Sequence, residues 1–311
     1  MAGEFERIEH LRRLFGPAPE GVSVGIGDDA AEIDVPVGEK IVWTIDACIE
    51  NVHFRQDIAS WEDVGFRSMM AAASDLAAMA ATPIGALCSV SVPRNLPDDA
   101  LYALANGQKL AAQQLGSSVI GGNLSASQIV TVSTTWLGRT TLAPRRHGAR
   151  PGDQLALCGP VGFAALGLRM LLKKPSWTAA DEIETIALHA WRRPRARIEE
   201  GLRCMHASSL IDISDGLAQD ALHLAMASGV QIDIDSSTVV SPALITLAKK
   251  LGFDAHELAL SGGEDYALLA TFPQGTIPVG FTVIGTCRQG HGVWVDGIPL
   301  PPKGHDHFRS P

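Results

Sequence analysis

The stretch Gly25-Ile26-Gly27-Asp28-Asp29-Ala30 limits what this chain can fold into more than any other. Two glycines allow a tight turn and a close backbone approach to a ligand. Two adjacent carboxylates on that turn repel each other, and in a cleft one of them takes up a proton unless a cation intervenes. Hard cations such as Mg2+ are held by one or two carboxylates together with substrate phosphate oxygens. The turn therefore points to a metal–phosphate site. The same glycines, following Val22-Ser23-Val24, also fit a dinucleotide fingerprint. That reading requires a helix directly after them, its N-terminus facing a pyrophosphate. Pro36 and Gly38 leave little room for such a helix, and two aspartates would repel the pyrophosphate. A plain Asp-rich surface turn is the other alternative.

The net charge of −9 argues against a general nucleic-acid surface, which is normally basic. An acidic chain that handles phosphates needs metals or a few placed arginines. With 311 residues, 46% hydrophobic and 19% charged, a large core and two domains are expected. Cys48, Cys88, Cys158, Cys204 and Cys287 are scattered without a Cys-x-x-Cys, which suggests reduced thiols and a cytoplasmic location. The opening Met-Ala-Gly-Glu-Phe-Glu-Arg has no apolar signal core. No apolar run approaches the length of a membrane span, so no membrane partner is expected.

Helical spacing covers Glu4 to Phe15, and Ile41 to Ile45 reads as a buried strand ending at Asp46. Ser60 and Asp63 resemble a capping box that opens a helix from Trp61 to about Met79. Further strands are expected over 86–92, 118–120 and 129–137, with a helix from Pro97 to about Leu115. The Arg-, Pro- and Gly-containing stretch 139–153 is the expected boundary between an N-terminal domain, 1–140, and a C-terminal domain, 150–311. The second half alternates strands (154–158, 210–213, 230–234, 266–272) with helices (163–172, 180–191, 195–206, 217–227, 242–251). Val293 to Gly297 reads as a hairpin with an Asp-Gly turn. The class is α/β or α+β, with two mixed domains.

Asp75 lies in an otherwise small and apolar helix, where an unpaired carboxylate is costly. It either pairs with an arginine, faces solvent, or meets cations shared with Asp29 and Asp46. Asp46, Asp212 and Asp215 sit at the ends of apolar strands, where sites of α/β proteins collect. Such a set of acids suggests a multi-metal polyphosphate site. Ser261-Gly262-Gly263-Glu264-Asp265 is a second turn able to approach a ligand, and Arg146 could neutralise phosphate. Arg192-Arg193-Pro194-Arg195 reads as a solvated helix boundary. His53 is a phosphate donor or a structural histidine, and His305 with His307 is half a zinc site without a third ligand. There is no P-loop and no Gly-x-Ser-x-Gly elbow.

Taken together, Gly3-Glu4-Phe5, Gly25 to Ala30, Asp46 with Asn51-Val52-His53-Phe54, Ser74 to Met79, Arg150-Pro151-Gly152-Asp153, Ile211 to Leu217, Leu260 to Tyr266 and Gly304-His305-Asp306-His307-Phe308 form a pattern. It resembles the thiamine-monophosphate kinase family, within the wider superfamily of aminoimidazole ribonucleotide synthetase and selenophosphate synthetase. The resemblance runs over essentially the whole chain, in order. It implies an N-terminal α/β domain that forms a homodimer through its strands, a C-terminal α/β domain, and an ATP and Mg2+ cleft between them. The implied reaction turns ATP and thiamine monophosphate into ADP and thiamine diphosphate by direct in-line transfer, so that the protein positions groups and neutralises charge.

By position, the resemblance implies that Asp29, Asp46, Asp75, Asp212 and Asp215 are metal ligands, with Thr44 helping to hold a metal. Gly122, Asn123, Arg146 and Ser214 fall at nucleotide contacts. His53, Glu264 and His305 fall at substrate contacts. Three positions depart from the family. Ile45 stands where a threonine is usual, Asn123 replaces the aspartate of Gly-Gly-Asp, and His305 replaces an aromatic that packs on thiamine. The first two, with Asp46, cradle one family metal, so a weaker metal is expected there. Three functions follow: an active thiamine-monophosphate kinase, a superfamily phosphotransferase with another small substrate, or a binding protein that has lost turnover.

Overall fold

The computed structural model describes residues 4–26 and 30–300. The chain divides into two compact units, 1–76 with 81–142, and 77–80 with 143–311.

The first unit opens with helix α1 (Glu4–Phe15), whose Arg7 reaches Asp98 at 2.6 Å. Strands β1 (Val22–Val24) and β2 (Glu32–Ile33) then pair antiparallel. No helix follows Ala30 before Lys40, which removes the dinucleotide reading. The main sheet has the order β3-β6-β4-β5, from β3 (Lys40–Ile49), β4 (Thr82–Pro93), β5 (Val119–Ser127) and β6 (Thr131–Thr140). Helix α3 (Asp98–Gln114) and helix α2 (Trp61–Ala78), except for the last two residues of α2, belong to the same unit. The capping box forms as expected: Asp63 N–H donates to Ser60 Oγ at 3.1 Å, and Ser60 N–H returns to Asp63 Oδ2 at 3.4 Å.

Alternation along the strands sorts this sheet into two unlike faces. Ala86, Cys88, Val90, Val132 and Trp136 are buried, and Trp136 Nε1 donates to Met69 O of α2 at 3.0 Å. On the other face Trp43 and Ile45 are each 70% exposed and Ile41 39%. Strand β5 is longer than the expected 118–120, because Gly121-Gly122-Asn123 continues it beside β4. A Cβ at Gly122 would lie 2.1 Å from Cys88 O, so only glycine permits that pairing.

The second unit holds a seven-stranded sheet, β13-β12-β9-β11-β7-β10-β8. Its strands are β7 (Gln154–Cys158), β8 (Ser209–Ile213), β9 (Gln231–Ile234), β10 (Ala267–Phe272), β11 (Thr282–Arg288), β12 (Gly292–Val295) and β13 (Ile298–Pro299). All pairs are antiparallel except β12 with β9. The helices are α4 (Phe163–Lys173), α5 (Glu182–Arg192), α6 (Ile198–Leu202), α7 (Leu217–Ser228), α8 (Ser236–Val239), α9 (Pro242–Leu251) and α10 (Ala255–Ser261). Strands β8 and β10 are buried along their whole length, which explains why they are mostly apolar on both faces. The Asp296-Gly297 turn has φ of 51° and 80°, both left-handed, as a tight hairpin of this kind requires. No described helix is long and apolar enough to cross a membrane. All five cysteines are free and buried.

Candidate active site

In the first unit, the register pairs Thr44 with Trp136 and Asp46 with Thr134. Trp136 and Thr134 are both fully buried, so Thr44 and Asp46 project from the helix-covered face of β3. Helix α2 brings Asp75 to that face, where its Oδ2 accepts a hydrogen bond from the Thr44 hydroxyl. Asp75 is half-buried and paired to a strand hydroxyl. Asp46 is exposed, and its Oδ1 accepts from Ala47 N–H at 2.7 Å.

Two of the departures fall elsewhere. Ile45 pairs with Thr135 on the open face, behind Asp46 rather than beside it. Asn123 pairs with Ser89, and the Ser91–Ser125 hydroxyl contact at 2.7 Å fixes that side of β5 on the open face too. Strands β3 and β5 are the two edges of the sheet, three strand spacings or about 14 Å apart. Within one chain, therefore, Asp46 and Asn123 stand on opposite faces and opposite edges of the sheet.

His53 follows Asn51, whose φ is 65°, in the turn after β3. Its Nδ1 accepts from Ile49 N–H at 3.1 Å, which puts the proton of the neutral ring on Nε2.

In the second unit, the candidate residues stand on two turns laid against each other. Asp212 is buried in β8, and Ser214-Asp215-Gly216 leads into α7. Across from it, Glu264 N–H donates to Ser214 O at 2.8 Å and Tyr266 N–H to Ile213 O at 2.9 Å. A Cβ at Gly263 would lie 2.5 Å from Ser214 O, so the close approach demands glycine. Glu264 and Tyr266 have φ of 66° and 48°, an unfavourable left-handed backbone for both. Such conformations persist where the surroundings over-determine them, commonly at functional sites.

Two carboxyls missed in the sequence hold these turns. Asp220 Oδ2 accepts from the N–H groups of Ser214, Asp215 and Gly216 at 3.1, 3.2 and 3.2 Å. Burial, then the charges of Asp212 and Asp215, push its pKa up to about 7. Asp265 accepts from Gly162 N–H at 2.7 Å and Ala164 N–H at 3.1 Å, capping α4, and burial pushes it up to about 7. For Asp220 a signal existed: it shares the helical face of Leu217, Ala221 and Leu224, as Asp75 shares an apolar face.

Asp215, Asp220 and His223 each offer a ligand atom, all within 4.8 Å of one another. The crowding of Asp212 and Asp215 around Asp220, which already disfavours the ionisation of Asp220, is the electrostatics that a divalent cation relieves. In the first unit the Thr44–Asp75–Asp46 face presents only hard oxygen donors. Both sets fit Mg2+. Arg146 is exposed in the second unit. Asp29 and His305 lie outside the described residues.

Residues 27–140 match the family described as AIR synthase related protein, N-terminal domain. A thiamine-monophosphate kinase from Aquifex aeolicus (strain VF5) is 35% identical over 310 residues, 98% of each chain. The solved structure of AaThiL complexed with AMPPCP and TMP superposes with a TM-score of 0.83 at 34% identity, covering 98% of this chain and 97% of that one. The thiamine-monophosphate kinase from Stenotrophomonas maltophilia K279a gives 0.85 at 30% identity, over 96% and 98%.

Proposed function

Since the chain belongs to the thiamine-monophosphate kinase family, we propose that it phosphorylates thiamine monophosphate with ATP. A phosphate oxygen of the acceptor forms a bond to the γ-phosphorus of ATP. The bond from that phosphorus to the β–γ bridging oxygen breaks, and its electrons leave with ADP. The observation that carries this reading is likeness to such kinases over nearly the whole chain, together with a relative of the same fold complexed with AMPPCP and TMP.

The acceptor phosphate is largely ionised at neutral pH, so no general base is required. The work left to this chain is orientation and charge balance. Mg2+, when bound, supplies neutralisation of the polyphosphate charge. Asp75, Thr44 and Asp46 would hold it in the first unit, Asp212 and Asp215 in the second, and Asp29 is proposed with them. The Thr44 hydroxyl orients the Asp75 carboxylate by donating to it. His53, its ring held by the bond from Ile49 N–H to Nδ1, is placed with the acceptor phosphate. Glu264, on a backbone fixed by its bond to Ser214 O, faces the cationic organic part of the acceptor. Gly122, Asn123, Arg146 and Ser214 serve the nucleotide, and His305 the acceptor. Ile45 leaves the donor face of β3 unaltered, which supports an active enzyme over a binding protein that has lost turnover.

The test supplies ATP, Mg2+ and thiamine monophosphate and measures thiamine diphosphate and ADP. Equal yields of the two support the reading. Binding without turnover, or turnover with a different phosphate acceptor only, overturns it.

The reading includes a homodimer in the cytoplasm. Trp43 and Ile45 standing out on an open sheet face support it, since a second copy would bury both. Free, buried thiols suit a reducing compartment. Trp43→Glu is expected to yield monomers in sedimentation; a native chain that already sediments as a monomer overturns this part.

A further inference from the structure

Trp191 sits near the end of α5, only 1% exposed, and its indole Nε1–H donates to Glu264 Oε2 at 3.0 Å. It is too buried to touch a ligand, so whatever it contributes passes through the carboxylate it holds. The Glu264 backbone is already fixed in the left-handed region and by the bond from its N–H to Ser214 O. A glutamate side chain still has three torsions, and its carboxyl sweeps a wide arc unless something anchors it. The indole supplies one such anchor: a rigid, packed donor making a charge-assisted bond.

We propose that Trp191 is a positioning residue for the acceptor, fixing the Glu264 carboxylate before thiamine monophosphate arrives. This rests on the reading that Glu264 contacts the acceptor. Preorganisation of this kind is felt in binding of the partner that meets the carboxylate and not in the handling of ATP. Trp191→Phe keeps an aromatic ring in the core and removes only the donor and one ring's bulk.

The experiment is steady-state kinetics of Trp191→Phe, Glu264→Ala and the double variant in the full chain. Losing a hydrogen bond to a charged group predicts a rise in KM for thiamine monophosphate of roughly three- to tenfold in Trp191→Phe. KM for ATP and kcat are expected to stay within about twofold of the native values. In the Glu264→Ala background, Trp191→Phe should add nothing, because the group it positions is gone. An unchanged acceptor KM in Trp191→Phe, beside a raised one in Glu264→Ala, overturns the positioning role while leaving Glu264 as a contact. An unchanged acceptor KM in Glu264→Ala overturns the contact itself, and the proposal with it. Equal penalties from Trp191→Phe in both backgrounds reveal a purely structural tryptophan and also overturn it. Should Trp191→Phe fold poorly, the native indole N–H resonance is the second readout. It should shift on saturation with thiamine monophosphate and hold still with ATP; the reverse pattern overturns the proposal.

Discussion

The two units present oxygen donors by different means. In the first, Thr44 and Asp46 stand on a ten-residue strand and Asp75 on an eighteen-residue helix, and a side-chain hydrogen bond joins them. In the second, Asp212, Ser214, Asp215 and Glu264 stand on or beside two turns joined through main-chain bonds, with a glycine at the point of closest approach. Regular elements fix a side chain by register, so losing one functional group there should subtract that group alone. Glycine-dependent turns fix a side chain through the path of the backbone, so an added methyl group should disturb the whole arrangement.

The largest expected effect would break the comparison at its first term. Asp75→Ala should lower kcat/KM about a hundredfold or more, the usual scale for a lost electrostatic group. Its melting temperature should fall by only the few degrees that a lost hydrogen bond costs, and Mg2+-dependent nucleotide binding should vanish in calorimetry; binding that persists removes Asp75 from the site. Next comes Gly263→Ala, whose Cβ would press on Ser214 O. It should cost about 1–3 kcal/mol in denaturant titrations as well as activity, the usual scale for overpacking. If Gly263→Ala is as stable as the native chain, the second turn is looser than described. Thr44→Val should cost only about 0.5–1.5 kcal/mol, one hydrogen bond's worth, and raise the Mg2+ concentration giving half-maximal rate. An unmoved Mg2+ titration would detach Thr44 from the function of Asp75.

The last test is a pH slope. The Asp265 carboxyl is raised from 3.8 to about 7, so the native state binds its proton more readily than the unfolded chain does. Its favourable contribution is present in acid and fades as pH climbs from 3.8 through about 7. Asp265→Asn, which cannot ionise, should show a flatter decline of melting temperature over that window. Identical slopes would mean that other groups govern it.

How much was legible followed from the range of the forces involved. The capping box at Ser60 and Asp63 and the turn at Asp296-Gly297 are local, and both stand as expected. Asp75 was visible as a carboxylate on an apolar helix, and Thr44 only through the family likeness. The seven-strand order of the second sheet was not legible, because β7 pairs with β10 and β11 across more than a hundred residues. Short α10 and strand β11 escaped too, each being seven residues with apolar and polar positions too mixed to show a period. Trp191 carried no signal, since a tryptophan on a helix face reads as core, and it is core; what sets it apart is a partner 73 positions away.

The left-handed backbone at Glu264 has a consequence for how this position can vary. A residue with a Cβ sits there under conformational stress that glycine would escape. Glu264→Gly should therefore melt higher than Glu264→Ala while being equally poor with the acceptor. Heat tolerance and acceptor use pull in opposite directions at this one position. A lineage selected for thermal robustness alone would drift toward glycine here, and glutamate endures only while the acceptor has to be recognised.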